Sequence, residues 1–94
     1  MLVRVVKMHF ALIFIDDFKI LFDSVKPLIL NAEGCLSVQL LQHETDLSIF
    51  FTISNWQSAE DLENYRKSDL FIKTWAKVKP YFKNKAEAWS LLEQ

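Results

Sequence analysis

Between Asp16 and Gly34, apolar residues fall at Phe18, Leu21, Phe22, Val25, Leu28 and Ile29, the i, i+3, i+4, i+7 spacing of one helix face. The segments on either side change period. Residues 2–10 alternate, with Val3, Val5, Lys7 and His9 on one face and Arg4, Val6, Met8 and Phe10 on the other. Residues 35–42 place Leu36, Val38 and Leu40 together. Residues 47–54 set Leu47, Ile49, Phe51 and Ile53 against Ser48, Phe50, Thr52 and Ser54. A helix flanked by strands, followed by a second strand across the short polar link 43–46, begins a β-α-β-β order.

Local signals refine these elements. Asp16 or Asp17 is expected to cap the first helix. Pro27 is expected to kink it by removing a backbone donor and crowding the carbonyl of Asp23. Gly34, the only glycine of the chain, fits the end of that helix, where a positive φ is needed. Ser58, with Asp61 three residues on, resembles a capping box and predicts a helix over 59–67. Ser68 or Asp69 starts another, carrying Leu70, Phe71, Trp75 and Val78, which Pro80 stops or kinks. Residues 86–92 close the chain as a strand. The full order is β-α-β-β-α-β with its second helical region divided. This predicts an α+β, ferredoxin-like fold: one four-stranded antiparallel sheet with helices on one face.

Ninety-four residues suit a single domain, 1–94. A domain this small has a marginal core, yet 51% of the chain is hydrophobic. Both faces of the first strand carry apolar groups, so the sheet's open face calls for a second copy of the chain, a homodimer packed sheet to sheet. A net charge of −1 gives no nucleic-acid footprint. Seven of the eleven basic residues lie between Arg66 and Lys85, where they form a solvated face or attract an anionic ligand. The apolar N-terminus is broken by Arg4, Lys7 and His9, so no membrane span or signal peptide is expected. A lone cysteine, Cys35, forms no internal disulfide and suits a reducing, cytoplasmic setting as a small core residue.

One glycine excludes a Walker loop and a dinucleotide fingerprint, and no Cys/His spacing matches zinc. What remains is aromatic. Trp56 ends a strand, Tyr65 sits mid-helix, and Phe71 and Trp75 follow across a helix break. Trp89 lies on the last strand. They fill a core or line a pocket for a flat aromatic ligand, and Trp and Tyr carry polar atoms that need partners when buried. His9 is the natural proton acceptor or a structural histidine. Arg66 and Arg4 hold an anionic oxygen or form ordinary ion pairs.

The segment SNWQSAEDLENYRKSDLF, with the RVVKMHF first strand, the Gly34-Cys35 pair and AEAWS at 86–90, resembles the antibiotic biosynthesis monooxygenase (ABM) domain family, of the dimeric α+β barrel group. Trp56, Ser58, Leu62, Tyr65, Ser68 and Phe71 fill its motif. The resemblance implies a homodimer with a cavity between sheet and helices in each subunit. It implies a cofactor-independent monooxygenase, without metal, flavin or nicotinamide, acting on a small aromatic substrate, a quinol or polycyclic phenol. His9 and Tyr65 would be its catalytic residues, and Trp56, Tyr65, Arg66, Phe71 and Trp75 would bind the substrate. A related branch degrades haem with an Asn, a Trp and a His; the Trp falls at Tyr65 here, the His at Trp75 and the strand Asn near Lys7, all different. A non-catalytic small-molecule-binding or stress-response dimer, or an isomerase or lyase on the same fold, is the alternative.

Overall fold

The computed structural model describes residues 1–94. Four strands, β1 (Leu2–Phe10), β2 (Cys35–Gln42), β3 (Ile49–Trp56) and β4 (Phe82–Leu92), alternate with α1 (Ile15–Leu30), α2 (Ala59–Arg66) and α3 (Asp69–Val78). The sheet order is β2-β3-β1-β4 and every neighbouring pair is antiparallel. The expected α+β, ferredoxin-like architecture is therefore present, with β1 paired on both sides.

Register assigns the faces. Val5 lies opposite both Ile53 and Trp89, and Lys7 opposite both Phe51 and Glu87. Directly paired residues share a face, so these side chains occupy the side away from the helices. Arg4 lies opposite Ser54 and Ser90, and Val6 opposite Thr52 and Ala88, on the helix side. A register shift between Lys7 and Phe10 bends β4 so that Phe82 still meets Phe10.

The helix-side core has two parts. The larger holds Met8, Phe10, Phe14, Phe18, Phe22, Val25, Ile29, Val38, Phe50 and Val78. At its centre Phe10 is 0% exposed, with its ring 4.5 Å from Phe18, 5.2 Å from Phe14 and from Phe82, and 6.0 Å from Phe50. The smaller part, Leu2, Trp56 and Leu62, sits at the other end of the sheet. Of the expected α1 stripe, Phe18, Phe22, Val25 and Ile29 are buried, while Leu28 is exposed.

Several local expectations change. Phe14, not Asp16 or Asp17, occupies the α1 N-cap, because a 3-10 turn at Leu12–Phe14 already feeds the helix. The two aspartates fall in the first turn instead, where the helix dipole favours negative charge. α1 runs through Pro27 to Leu30. Its C-cap is Asn31 at φ −84°, so Gly34 does not cap it; Gly34 takes φ +80° in the turn leading into β2. β3 begins at Ile49 rather than Leu47. His43 Nδ1 accepts from the N–H of Thr45 (3.2 Å) and Asp46 (3.0 Å), and Asp46 Oδ1 accepts from the N–H of Ser48 (3.1 Å), which extends the turn. β4 starts at Phe82, four residues before its expected start at 86.

The two later helices start as their serines suggest. Ser58 Oγ accepts from the Asp61 N–H (3.1 Å) and donates to Asp61 Oδ2 (3.0 Å). Asp, one methylene shorter than Glu, thus bonds the cap hydroxyl. Ser68 caps α3 by accepting from the Phe71 N–H (3.2 Å) and donates to the Tyr65 carbonyl (2.6 Å), which fixes the bend between α2 and α3. Gly34 is held against this same region: its carbonyl accepts from the Gln57 N–H (2.8 Å), and a Cβ on it would collide with the Asp61 side chain. Gly34→Ala is accordingly expected to destabilise the fold by about 2–3 kcal/mol, from both positive φ and the clash. Urea unfolding measures this; a loss under ~0.5 kcal/mol would show that the turn relaxes freely.

Candidate active site

A cavity of about 280 Å³ lies between the sheet and the helices, where the two core clusters meet. Its floor explains its existence. The inward positions of β3 and β4 there are Thr52, Ser54, Ala86 and Ala88, short side chains facing a roof of larger ones from α1, α2 and α3. Bulkier residues at those positions would close the space, as Phe10, Phe50 and Phe82 do at the other end.

One wall is a continuous run of aromatic rings. Trp56 stacks on Tyr65 with centroids 5.0 Å apart. Tyr65 meets Phe71 edge-on at 5.4 Å, Phe71 stacks on Trp75 at 5.7 Å, and Trp75 meets Phe82 edge-on at 5.4 Å. Each element supplies its ring for a local reason. Trp56 ends β3 with its indole N–H bonded to Ser54 Oγ (2.9 Å), so its polar atom is satisfied at 1% exposure. Tyr65 projects from α2 just before the Ser68 cap. Phe71 and Trp75 lie four residues apart on α3, one above the other.

The polar groups lining the cavity are few: the guanidinium groups of Arg4 and Arg66, the Tyr65 phenol, the Trp56 and Trp75 indoles and the hydroxyls of Thr52, Ser54 and Thr74. Burial, aided by the nearby Cys35 sulfur, pushes the Tyr65 phenol up to about 12, so at neutral pH it is a hydrogen-bond donor and not a base. Arg4 donates from Nη1 to Ser90 Oγ (3.0 Å). Its guanidinium is disfavoured by burial and then by the charge of Arg66, with Glu63 offsetting part. Arg66 is more exposed and pairs with Glu63 across 3.3 Å.

The structure therefore brings together Trp56, Tyr65, Arg66, Phe71 and Trp75, all of which line the cavity. It does not bring His9 to them. Two strand positions separate His9 from Lys7, so its imidazole lies on the opposite face of the sheet. There Nδ1 is 2.7 Å from Asn84 Nδ2, and Nε2 is 4.0 Å from Asp46 Oδ2. Hydrogen bonds from Ser48, more than the histidines, hold the Asp46 carboxyl below its ordinary range. Trp89 shares that outer face at 42% exposure. Cys35 packs beside Tyr65 and against both clusters, with its thiol pushed up by burial. The groups least visible in the sequence are the floor residues; the signal was the alternation Thr52-x-Ser54 and Ala86-x-Ala88, short side chains at every inward position.

Several solved structures share this whole architecture. One described as an antibiotic biosynthesis monooxygenase superposes with a TM-score of 0.93 at 15% identity, covering 100% of this chain and 99% of its own. A conserved protein from Methanosarcina mazei Go1 gives 0.91 at 20% identity, with 99% and 93% covered. A protein from Nitrosomonas europaea, provisionally described as an antibiotic biosynthesis monooxygenase, gives 0.92 at 13% identity, with 99% and 98% covered. At these identities the likeness is one of fold. No curated protein of established function matches the sequence. The family profile described as antibiotic biosynthesis monooxygenase matches residues 1–77, from β1 to the last turn of α3, which includes Trp56, Tyr65, Phe71, Trp75 and both arginines. On that match, the chain belongs to the antibiotic biosynthesis monooxygenase family.

Proposed function

We propose that this protein is a cofactor-independent monooxygenase acting on a small quinol or phenol. The observation that carries the reading is the cavity's composition: a flat aromatic wall, one protonated phenol and two guanidinium groups. Its 280 Å³ lies at the lower end of ligand-pocket volumes, which favours a one- or two-ring substrate over a larger polycycle.

The chemistry follows from those groups. Positive charge at Arg4 and Arg66 favours the substrate's phenolate form, with its proton released to solvent. The Tyr65 hydroxyl donates to a ring oxygen, and the aromatic wall holds the ring flat and shields it from water. An electron-rich ring carbon that bears a hydrogen, ortho or para to that oxygen, reduces O2 and bonds to it, giving a hydroperoxide. Loss of water breaks the O–O bond and releases the carbon's hydrogen as a proton, leaving a carbonyl. A ring C–H, a phenolic O–H and O2 thus become two C=O groups and H2O, and the substrate supplies all four electrons. On this reading His9 does not act as the base, because the sheet separates it from the ring.

Oxygen uptake by purified protein, with a panel of one- and two-ring hydroquinones, tests the proposal. Tyr65→Phe and Trp75→Ala are expected to lower turnover by about 10- to 100-fold, while His9→Ala changes it by no more than about threefold. Uptake no faster than autoxidation, or loss of turnover only in His9→Ala, would contradict it.

Tyr65 gives a pH test of its own. Its folded-state value lies above the ordinary 10, so the native state holds this proton more tightly than the unfolded chain does. The associated stability is complete below pH ~10 and is lost as pH rises toward ~12. An alkaline tyrosinate absorbance step near the top of that window is expected, absent in Tyr65→Phe; a Tyr65 step at pH ~10 would mean the phenol is solvated.

The open face of the sheet supports a homodimer. Val5, Phe51, Ile53, Trp89 and Leu91 form a contiguous apolar surface there, with Trp89 and Leu91 at 42% and 49% exposure. Analytical ultracentrifugation is expected to give twice the chain mass, falling to the monomer in Ile53→Asp; a wild-type monomer would remove this reading.

A further inference from the structure

Arg4 differs from every other charged group around the cavity. It sits on the central strand, on the helix side, in a row with Ser54 and Ser90. The side chain is partly buried, yet it forms no ion pair; the only pairs in the structure are Arg66 with Glu63 and His9 with Asp46. Its one hydrogen bond, to Ser90 Oγ, uses a single N–H and a neutral partner. A guanidinium carries five N–H donors and does not lose its proton at any physiological pH. The cavity thus contains a positive charge without an ion-pair partner, offset only in part by the more distant Glu63, with a second cation, Arg66, close enough to repel it.

Removing a cation from water without a counter-charge is costly. A ligand that supplies the counter-charge recovers that cost and relieves the repulsion between the two arginines. A single phenolate oxygen accepts along one edge of the fork. A planar two-oxygen anion matches it with two parallel bonds. We propose that the cavity's ligand is an aromatic acid, with its ring against the Trp56–Tyr65–Phe71–Trp75 wall and its carboxylate on Arg4, Arg66 being the outer contact. This rests on reading the cavity as an aromatic-substrate site and adds a second functional group to that substrate.

Three matched probes test it by isothermal titration and tryptophan fluorescence at neutral pH: naphthoate, naphthol and naphthylmethanol, which share a ring system and differ in the oxygen group. Naphthoate is expected to bind at least about tenfold more tightly than naphthylmethanol. Arg4→Gln is expected to abolish that preference while keeping naphthylmethanol affinity within about twofold, which also shows the cavity intact; Arg4→Lys retains part of it. Added salt is expected to weaken naphthoate alone. Equal affinity for the three probes, tightest binding of naphthol, or a carboxylate preference that survives Arg4→Gln would each overturn the inference, and none of these bears on oxygen uptake with quinols. Conversely, selection of naphthoate through Arg4 by a protein that takes up no oxygen would uphold this inference and remove the oxygenase reading.

Discussion

The burial of Phe10 fixes which side chains of the central strand reach the cavity. Its ring contacts Phe14, Phe18, Phe50 and Phe82, from the 3-10 turn after β1, α1, β3 and β4, so it cannot turn outward without dismantling the larger cluster. Strand side chains alternate strictly, so once Phe10 points inward, Met8, Val6 and Arg4 must follow, and His9, Lys7, Val5 and Val3 must point away. The identity of the charged group inside the cavity is thereby a consequence of packing some distance from it. Arg4 is inside and His9 outside for the same reason.

The cavity in turn depends on what the two clusters leave unfilled. Five phenylalanines close one end of the sheet–helix interface, and Trp56 with Leu2 and Leu62 closes the other. Between them β3 and β4 offer only the short side chains Thr52, Ser54, Ala86 and Ala88, beside Arg4, Val6 and Met8 of β1. The aromatic wall bridges the gap without filling it, since its rings stack along one side. This arrangement gives the charges their effect: in a space bounded by apolar groups, the unpaired guanidinium of Arg4 acts on a ligand far more strongly than it would in water. The same surroundings keep Tyr65 protonated, so the site favours an anion through its arginines and donates to it through its phenol.

Much of this was legible in the residues. The α1 stripe, the alternation of β1, and the serine caps at Ser58 and Ser68 gave the element order, because each is a local pattern with a local cause. Element ends were less visible. β3 was shortened by hydrogen bonds to His43 and Asp46, β4 was lengthened by the need to pair Phe82 with Phe10, and Gly34 was placed by a close approach to α2. The last two depend on contacts across the fold, the first on side-chain bonds within a turn. The aromatic members of the site were legible because Trp56, Tyr65, Phe71 and Trp75 fall on two capped helices and a strand end in one stretch. His9 shows the limit of that approach: its chemistry suits a base, but its strand parity is decided by Phe10. The floor was missed for the opposite reason, since alanine and serine attract notice only when the positions facing them are known.

The chain's three tryptophans test this arrangement directly. Trp56 and Trp75 line the cavity, while Trp89 lies on the outer face of the sheet. Titration of nitrogen-15-labelled protein with a two-ring hydroquinone, followed through the three indole N–H signals assigned by single Trp→Phe substitutions, reports which face binds. The account predicts that the Trp56 and Trp75 signals shift together and saturate at one ligand per chain, with the Trp89 signal unmoved. A shift led by Trp89, or accompanied by the His9 ring signals, would place the site on the other face and contradict it.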